Sequence, residues 1–110
     1  MTKYDIEIYR IKADICRKLA DPKRQMMISE LRESEKTVGE IAQAIGISQP
    51  ATSHHLNVLH DGGIVNKRRE GSNIYYSLAD PRIVEACDIV HSVILHKAKQ
   101  YREFADKVMA

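Results

Sequence analysis

The stretch Ser48-Gln49-Pro50-Ala51-Thr52-Ser53-His54-His55-Leu56-Asn57-Val58-Leu59 decides how this chain is read. Ser48 caps a helix that is polar on its outer side. At helical spacing Thr52, His55, Leu56 and Leu59 turn toward the domain, while Gln49, Pro50, Ser53, His54 and Asn57 fall on the other side. Just upstream, Thr37-Val38-Gly39-Glu40 reads as a capping box, in which the Thr37 hydroxyl and the Glu40 carboxylate close each other's free backbone donors. The helix it starts packs through Val38, Ile41, Ala42 and Ile45. Gly46 follows as the residue that takes a positive φ without a Cβ clash. Two helices joined by so short a bend form a helix-turn-helix connection.

Downstream, Asp61-Gly62-Gly63 ends the helix. Ile64 to Arg69 and Ile74 to Leu78 read as two strands joined through Glu70-Gly71-Ser72-Asn73, a hairpin rich in positive charge. Upstream, a first helix over residues 4–20 carries a broad apolar stripe that includes Ile6, Ile8, Tyr9, Ile11, Ile15, Cys16 and Leu19. Asp21-Pro22 resets the chain and starts a second helix that ends near Glu33-Ser34, with Met26, Met27, Ile28 and Leu31 as its buried side. Asp80-Pro81 repeats that device and opens a last helix to about residue 107, with Ile83, Val84, Cys87, Val90, Ile94 and Ala98 along one seam. The expected fold is mainly α with a small β-hairpin: a winged helix-turn-helix of about five helices, in a single domain over residues 1–110.

A chain of 110 residues buries only about two-thirds of the surface its unfolded form exposes, so self-association would add burial. With one Phe and no Trp, its core is built from aliphatic residues and Met. Seventeen Lys and Arg against fifteen Asp and Glu leave a formal charge of +2, too small by itself to mark a nucleic-acid binder. Distribution carries that argument, because Lys67, Arg68 and Arg69 are adjacent. No apolar signal segment opens the chain, and no apolar run approaches the roughly 20 residues of a membrane span, so no membrane association and a cytoplasmic location are expected. Two cysteines, Cys16 and Cys87, are too far apart for a CxxC motif and are expected as free thiols.

The outward residues of the Ser48 helix are small or polar, which lets its backbone approach a groove floor. Gln49 offers an amide to adenine, and Ser53, His54 and Asn57 reach base edges or phosphates. The first backbone amides of the helix face a phosphate. Arg68 and Arg69 supply charge without base specificity, joined by Lys67 and Asn73 according to the register of the hairpin. A polar face on a surface helix is ordinarily only solvated; here the turn, the helix and the basic hairpin arrive in the order that DNA recognition requires.

These residues also carry a family resemblance. Leu19-Ala20-Asp21-Pro22-Lys23-Arg24, Thr37 to Ala42, the Ser48 to Leu59 helix, Arg68-Arg69-Glu70-Gly71 and Tyr75-Tyr76-Ser77-Leu78 together resemble the arsenic-repressor (ArsR/SmtB) family over most of residues 15 to 80. The resemblance implies a homodimeric winged-helix repressor, paired through its first and last helices, that leaves double-stranded operator DNA when a metal, metalloid or oxidant is sensed. The two broad apolar stripes agree with such a dimer.

The same resemblance fails at the family's sensing sites. Its metalloid site uses thiols at the start of the third helix, where this chain has Lys36-Thr37-Val38-Gly39-Glu40 and no soft ligand. Its zinc site across the last helices falls on Asp80, Arg82, Val93 and His96, which lacks two of four ligands. His91 and His96, five apart, do not share a helix face well, and are expected as surface or interface residues in preference to ligands completed by Asp88 or a partner subunit. No metal site is therefore expected. Family persulfide sensors place a thiol in the second helix, where Ser29 stands here, and another further along the last helix. Cys16 and Cys87 remain as the candidates for a metalloid or for thiol modification, set against the simpler reading of small apolar residues filling space.

The sequence thus predicts a sequence-specific DNA-binding homodimer, a repressor released by a metalloid or a thiol-reactive signal. Its rivals are a constitutive regulator without its own ligand and a winged-helix module that docks protein. An enzyme is not expected, since the histidines lack a nucleophile, a metal or paired carboxylates at a recognisable spacing.

Overall fold

The computed structural model describes residues 1–110. Five helices and three short strands follow in the order α1 (Lys3–Leu19), α2 (Pro22–Glu30), β1 (Lys36–Thr37), α3 (Val38–Ile45), α4 (Gln49–Asp61), β2 (Val65–Glu70), β3 (Asn73–Leu78) and α5 (Arg82–Met109). The mainly α architecture with a small hairpin is the expected one.

Local chemistry sets most of the boundaries. Asp21 caps α2, its carboxylate accepting from the Lys23 and Arg24 amides, with Pro22 in the first turn. Thr37 and Glu40 form the capping box of α3, and these bonds from the Thr37 amide and hydroxyl hold the Glu40 carboxyl below its ordinary pKa. Gly46 closes α3 with φ +73°, its amide donating to the Ala42 carbonyl. Ser48 Oγ accepts from the Ala51 amide and so opens α4.

Four expectations need correction. The second helix stops at Glu30 with Leu31 as its C-cap, short of Glu33-Ser34. Arg32 to Ser34 bend instead, and Lys36-Thr37 form β1, which pairs antiparallel with β3 through Lys36↔Tyr76 and Thr37↔Tyr75. The sheet is therefore three-stranded in the order β1-β3-β2, not a hairpin alone. The hairpin loop is only Gly71-Ser72, because Glu70 pairs with Asn73. Gly71 has φ +62°, which a two-residue loop of type II′ asks of its first residue. Finally, α5 starts one residue later than the Asp80-Pro81 device suggests and runs to Met109. The Asp80 carboxylate still accepts from the Arg82 amide at 3.0 Å, but it also binds the Arg82 guanidinium at 2.6 Å, and the two bonds lower its pKa to about 2.

The core lies between α2, α3, α4 and the sheet, around Met27, Ile28, Ile41, Leu56, Leu59 and Val65. α1 contributes only Ile15 and Leu19 to its edge and has no buried residue. Val84 is the sole buried residue of α5, with Ile83 packed beside it, Cys87 half-buried and Asp88 bonded to Arg32, and the helix is exposed from Asp88 onward. No helix is long and apolar enough to cross a membrane.

Candidate nucleic-acid interface

α4 is held from below. Thr52, Leu56 and Leu59 are fully buried, and the Thr52 hydroxyl donates to the Ser48 carbonyl at 2.8 Å. His55 is half-buried, its Nδ1 lying 3.2 Å from Arg24 Nη1, while Arg24 Nε donates to the Lys18 carbonyl at 2.6 Å. Arg24 thus ties the end of α1 to the inner face of α4, a role no local motif announces. Gln49, Pro50, His54 and Asn57 are exposed on the other face, as expected, and Ser53 is half-buried at its edge. Gln49 leans back over the start of α3, its Nε2 3.4 Å from where a Cβ on Gly39 would stand.

The amides at the start of α4 differ from expectation. Pro50 has none, Ala51 donates to Ser48 Oγ and Thr52 donates to the Ser48 carbonyl. The Ser48 and Gln49 N–H groups are left to meet a phosphate, so side chains must make most contacts from this helix.

The hairpin register divides its basic residues between two faces. Lys67 is opposite Tyr76 and Arg69 opposite Ile74, whereas Arg68 is opposite Tyr75. Since side chains alternate along a strand, Arg68 points away from the face shared by Lys67 and Arg69. Lys67 and Arg69 are exposed and outside the salt bridges of the hairpin, and Asn73 is exposed beside the turn. Arg68 is bound on two sides: Nε reaches Glu35 Oε2 at 2.8 Å, Nη2 reaches Glu35 Oε1, and Nη1 reaches Glu70 Oε2 at 2.7 Å. Its guanidinium also lies 4.6 Å from the centre of the Tyr75 ring. The Arg68 bonds hold the Glu35 carboxyl below its ordinary pKa, and the two carboxylates raise that of Arg68. Glu35 and Tyr75 are the residues that sequence reasoning misses here.

The two thiols line one groove of about 770 Å³ between α1 and α5, with Ile11, Ile15, Val90 and Ile94 among its walls. Cys16 is exposed in the single subunit, and Cys87 is half-buried. Burial pushes the Cys87 thiol above its ordinary pKa, against a hydrogen bond from Gln25. Asp88 is taken up by Arg32 through two bonds of 2.7 and 2.9 Å, which lower its pKa, so it is not a free companion for His91. No three His, Cys, Asp or Glu side chains come together in a group able to hold a metal ion.

Comparison with known proteins agrees with this geometry. Residues 21–67 match the family model described as bacterial regulatory protein, arsR family. The chain is 35% identical over 101 residues to the biofilm growth-associated repressor of Xylella fastidiosa, covering 91% of this chain and 89% of that protein. It is 42% identical over 80 residues to the HTH-type transcriptional regulator NmtR of Mycobacterium tuberculosis, covering 71% of this chain and 67% of the relative. Among solved structures, a homodimeric winged helix-turn-helix DNA-binding domain from Mycobacterium bovis superposes with a TM-score of 0.80 at 26% identity, over 91% of this chain and 93% of that one. Motifs, fold and relatives converge: the chain belongs to the ArsR/SmtB family of winged helix-turn-helix transcriptional regulators, DNA-binding proteins rather than enzymes.

Proposed function

We propose that this protein is a homodimeric repressor that reads a roughly palindromic operator through Gln49, Pro50, Ser53, His54 and Asn57 of α4 and holds the DNA backbone with Lys67, Arg69 and Asn73 of the wing. The observation that carries this reading is the exposed polar face of α4, anchored from below by buried Thr52, Leu56 and Leu59, beside a hairpin whose Lys67 and Arg69 are free to meet phosphate. The dimer forms through α1 and α5, whose apolar faces the single subunit leaves open. Two-fold symmetry then sets the recognition helices about one helical turn of DNA apart. Fluorescence anisotropy tests it, using a duplex selected from a random pool and a scrambled control. Binding should prefer the selected duplex and weaken steeply with salt, because phosphate contacts release counterions. Salt-independent behaviour with no preference would leave the protein-docking module as the better account.

The signal acts in the groove that holds Cys16 and Cys87, where a trivalent metalloid or a disulfide would join α1 to α5 inside the dimer core and shift the recognition helices. Release requires that the modified form favour one of the two states rather than bind both equally. The constitutive alternative draws on one observation: the raised Cys87 pKa leaves little thiolate near neutral pH. Arsenite and a disulfide-forming oxidant, each titrated against the protein–DNA complex, separate the two. Release by either reagent that disappears in the Cys16→Ser/Cys87→Ser protein supports sensing. DNA binding unaffected by both supports the constitutive regulator.

A further inference from the structure

The wing meets the helix-turn-helix through very little backbone. β1 is two residues long, and β2 joins it only by way of β3. At its base the wing is packed into the core through Val65 and Tyr76, while Lys67 to Glu70 and Asn73 toward the turn are exposed. One polar side chain adds a further tie from this exposed part. From β2, Arg68 crosses over the ring of Tyr75 in β3 and reaches Glu35, the residue just ahead of β1. The pairing is a fork, two guanidinium nitrogens on the two oxygens of one carboxylate, the arrangement that combines strength with direction. Glu70 holds the remaining nitrogen from the turn side. Glu35 is two residues ahead of Thr37, the N-cap of α3, and Ile41 and Ile45 of α3 share a core with Leu56 and Leu59 of α4. The guanidinium therefore adds a polar link between the exposed part of the wing and the frame that carries the reading helix, beside the apolar packing of Val65 and Tyr76.

The same contacts remove Arg68 from the set of phosphate ligands. With Glu35 and Glu70 around it, the cluster carries one more negative charge than positive. A phosphate would approach the two N–H groups left free against the repulsion of both carboxylates. On the opposite face Lys67 and Arg69 have no such competitor.

We infer that Arg68 and Glu35 form a strap that sets the angle of the wing to α4, and that Arg68 is a positioning residue for operator choice rather than a contact to the DNA backbone. This rests on the reading of α4 and the wing as the DNA surface. The test compares the unmodified protein with Arg68→Gln, Glu35→Gln and the double variant. Each is measured by anisotropy on the selected and scrambled duplexes across a salt series, and by amide hydrogen exchange without DNA. Each single change should cut the preference for the selected duplex about two- to fivefold, the reach of a partly exposed ion pair. The double variant should lose no more than the worse single one, because the same link is cut in all three. The salt slope and the dimer should stay as in the unmodified protein, and the amides of the β1–β3 pairing should exchange faster.

The opposite pattern overturns the strap. If Arg68 is a phosphate contact masked by Glu35, then Glu35→Gln tightens binding to both duplexes and Arg68→Gln makes the salt slope shallower by about one unit. Unchanged preference together with unchanged exchange also overturns it. Failure of the DNA reading itself has a different signature, in which the unmodified protein binds no duplex. That result overturns the role in operator choice, while faster exchange in the variants would still establish the link between wing and frame.

Discussion

On α4, a few side chains separate an anchored inner face from the exposed face proposed to read DNA, and the two consequences of mutation should separate with them. His54 is exposed and Ser53 lies at the edge of that face, while Thr52 between Ala51 and Ser53 is completely buried. Changing Ser53 or His54 to Ala should weaken binding to the selected duplex by at most about 1–3 kcal/mol per lost base contact, with the dimer intact. Anisotropy on selected and scrambled DNA reads this directly, and equal discrimination before and after both changes would move the reading surface elsewhere. Thr52→Ala should behave differently. It removes a buried hydroxyl bonded to the Ser48 carbonyl and so should lower thermal stability before it touches specificity. Periodicity alone makes this division legible in the sequence, since burial on a helix repeats every three or four residues. It does not reveal that Gln49 folds back toward Gly39 or that Arg24 supports His55, because both depend on how the helices meet.

At the scale of elements, the caps are predictable and the wing is not. Asp21-Pro22, Thr37 to Glu40, Gly46 and Ser48 act within a few residues of themselves, so their chemistry can be read before any tertiary structure exists. Gly46 gives a measurable case. A Cβ there would meet nothing within 4 Å, so the cost of Gly46→Ala comes from the left-handed backbone at φ +73° and not from a clash. Urea unfolding should give a loss of about 1–2 kcal/mol with an unchanged m-value, and Asn at the same position should recover part of it. β1 escapes sequence reading because two residues carry no periodicity and their partners, Tyr75 and Tyr76, lie far along the chain. The Arg68 contact escapes it for the same reason, since Glu35 is 33 residues away. A run of three basic residues looks uniform in sequence, yet strand alternation gives them different work. Accordingly, Lys67→Ala/Arg69→Ala should lose affinity for selected and scrambled DNA alike and flatten the salt dependence by about one unit per lost phosphate contact. A slope that does not move would show that this face of the wing never meets the backbone.

The single subunit is extended. Its radius of gyration is 17.6 Å, against about 13 Å for a compact domain near this length. The excess comes from α5, about 42 Å long at 1.5 Å per residue, which touches the body only near its start. Along it Ile89, Val90, Ile94, Tyr101 and Phe104 are all more than half exposed, and α1 adds Ile8 and Tyr9. In the proposed dimer a second copy covers this apolar surface with the same faces, in the symmetric arrangement that closed dimers use. The consequence for function is geometric, since one subunit offers one reading helix and a palindrome needs two at a fixed distance. Placing a charge at the centre of the seam should remove both properties in one step. Ile94→Asp leaves the buried core around Met27, Ile41 and Leu56 untouched, so each subunit should stay folded by circular dichroism. Sedimentation should find it monomeric at micromolar concentration, where the unmodified protein should be dimeric. Binding to a full palindrome should fall to the level of a half-site, because the second helix no longer arrives with the first. An Ile94→Asp protein that remains dimeric and keeps full affinity would place the subunit contact away from α5, and with it the arrangement of the two reading helices.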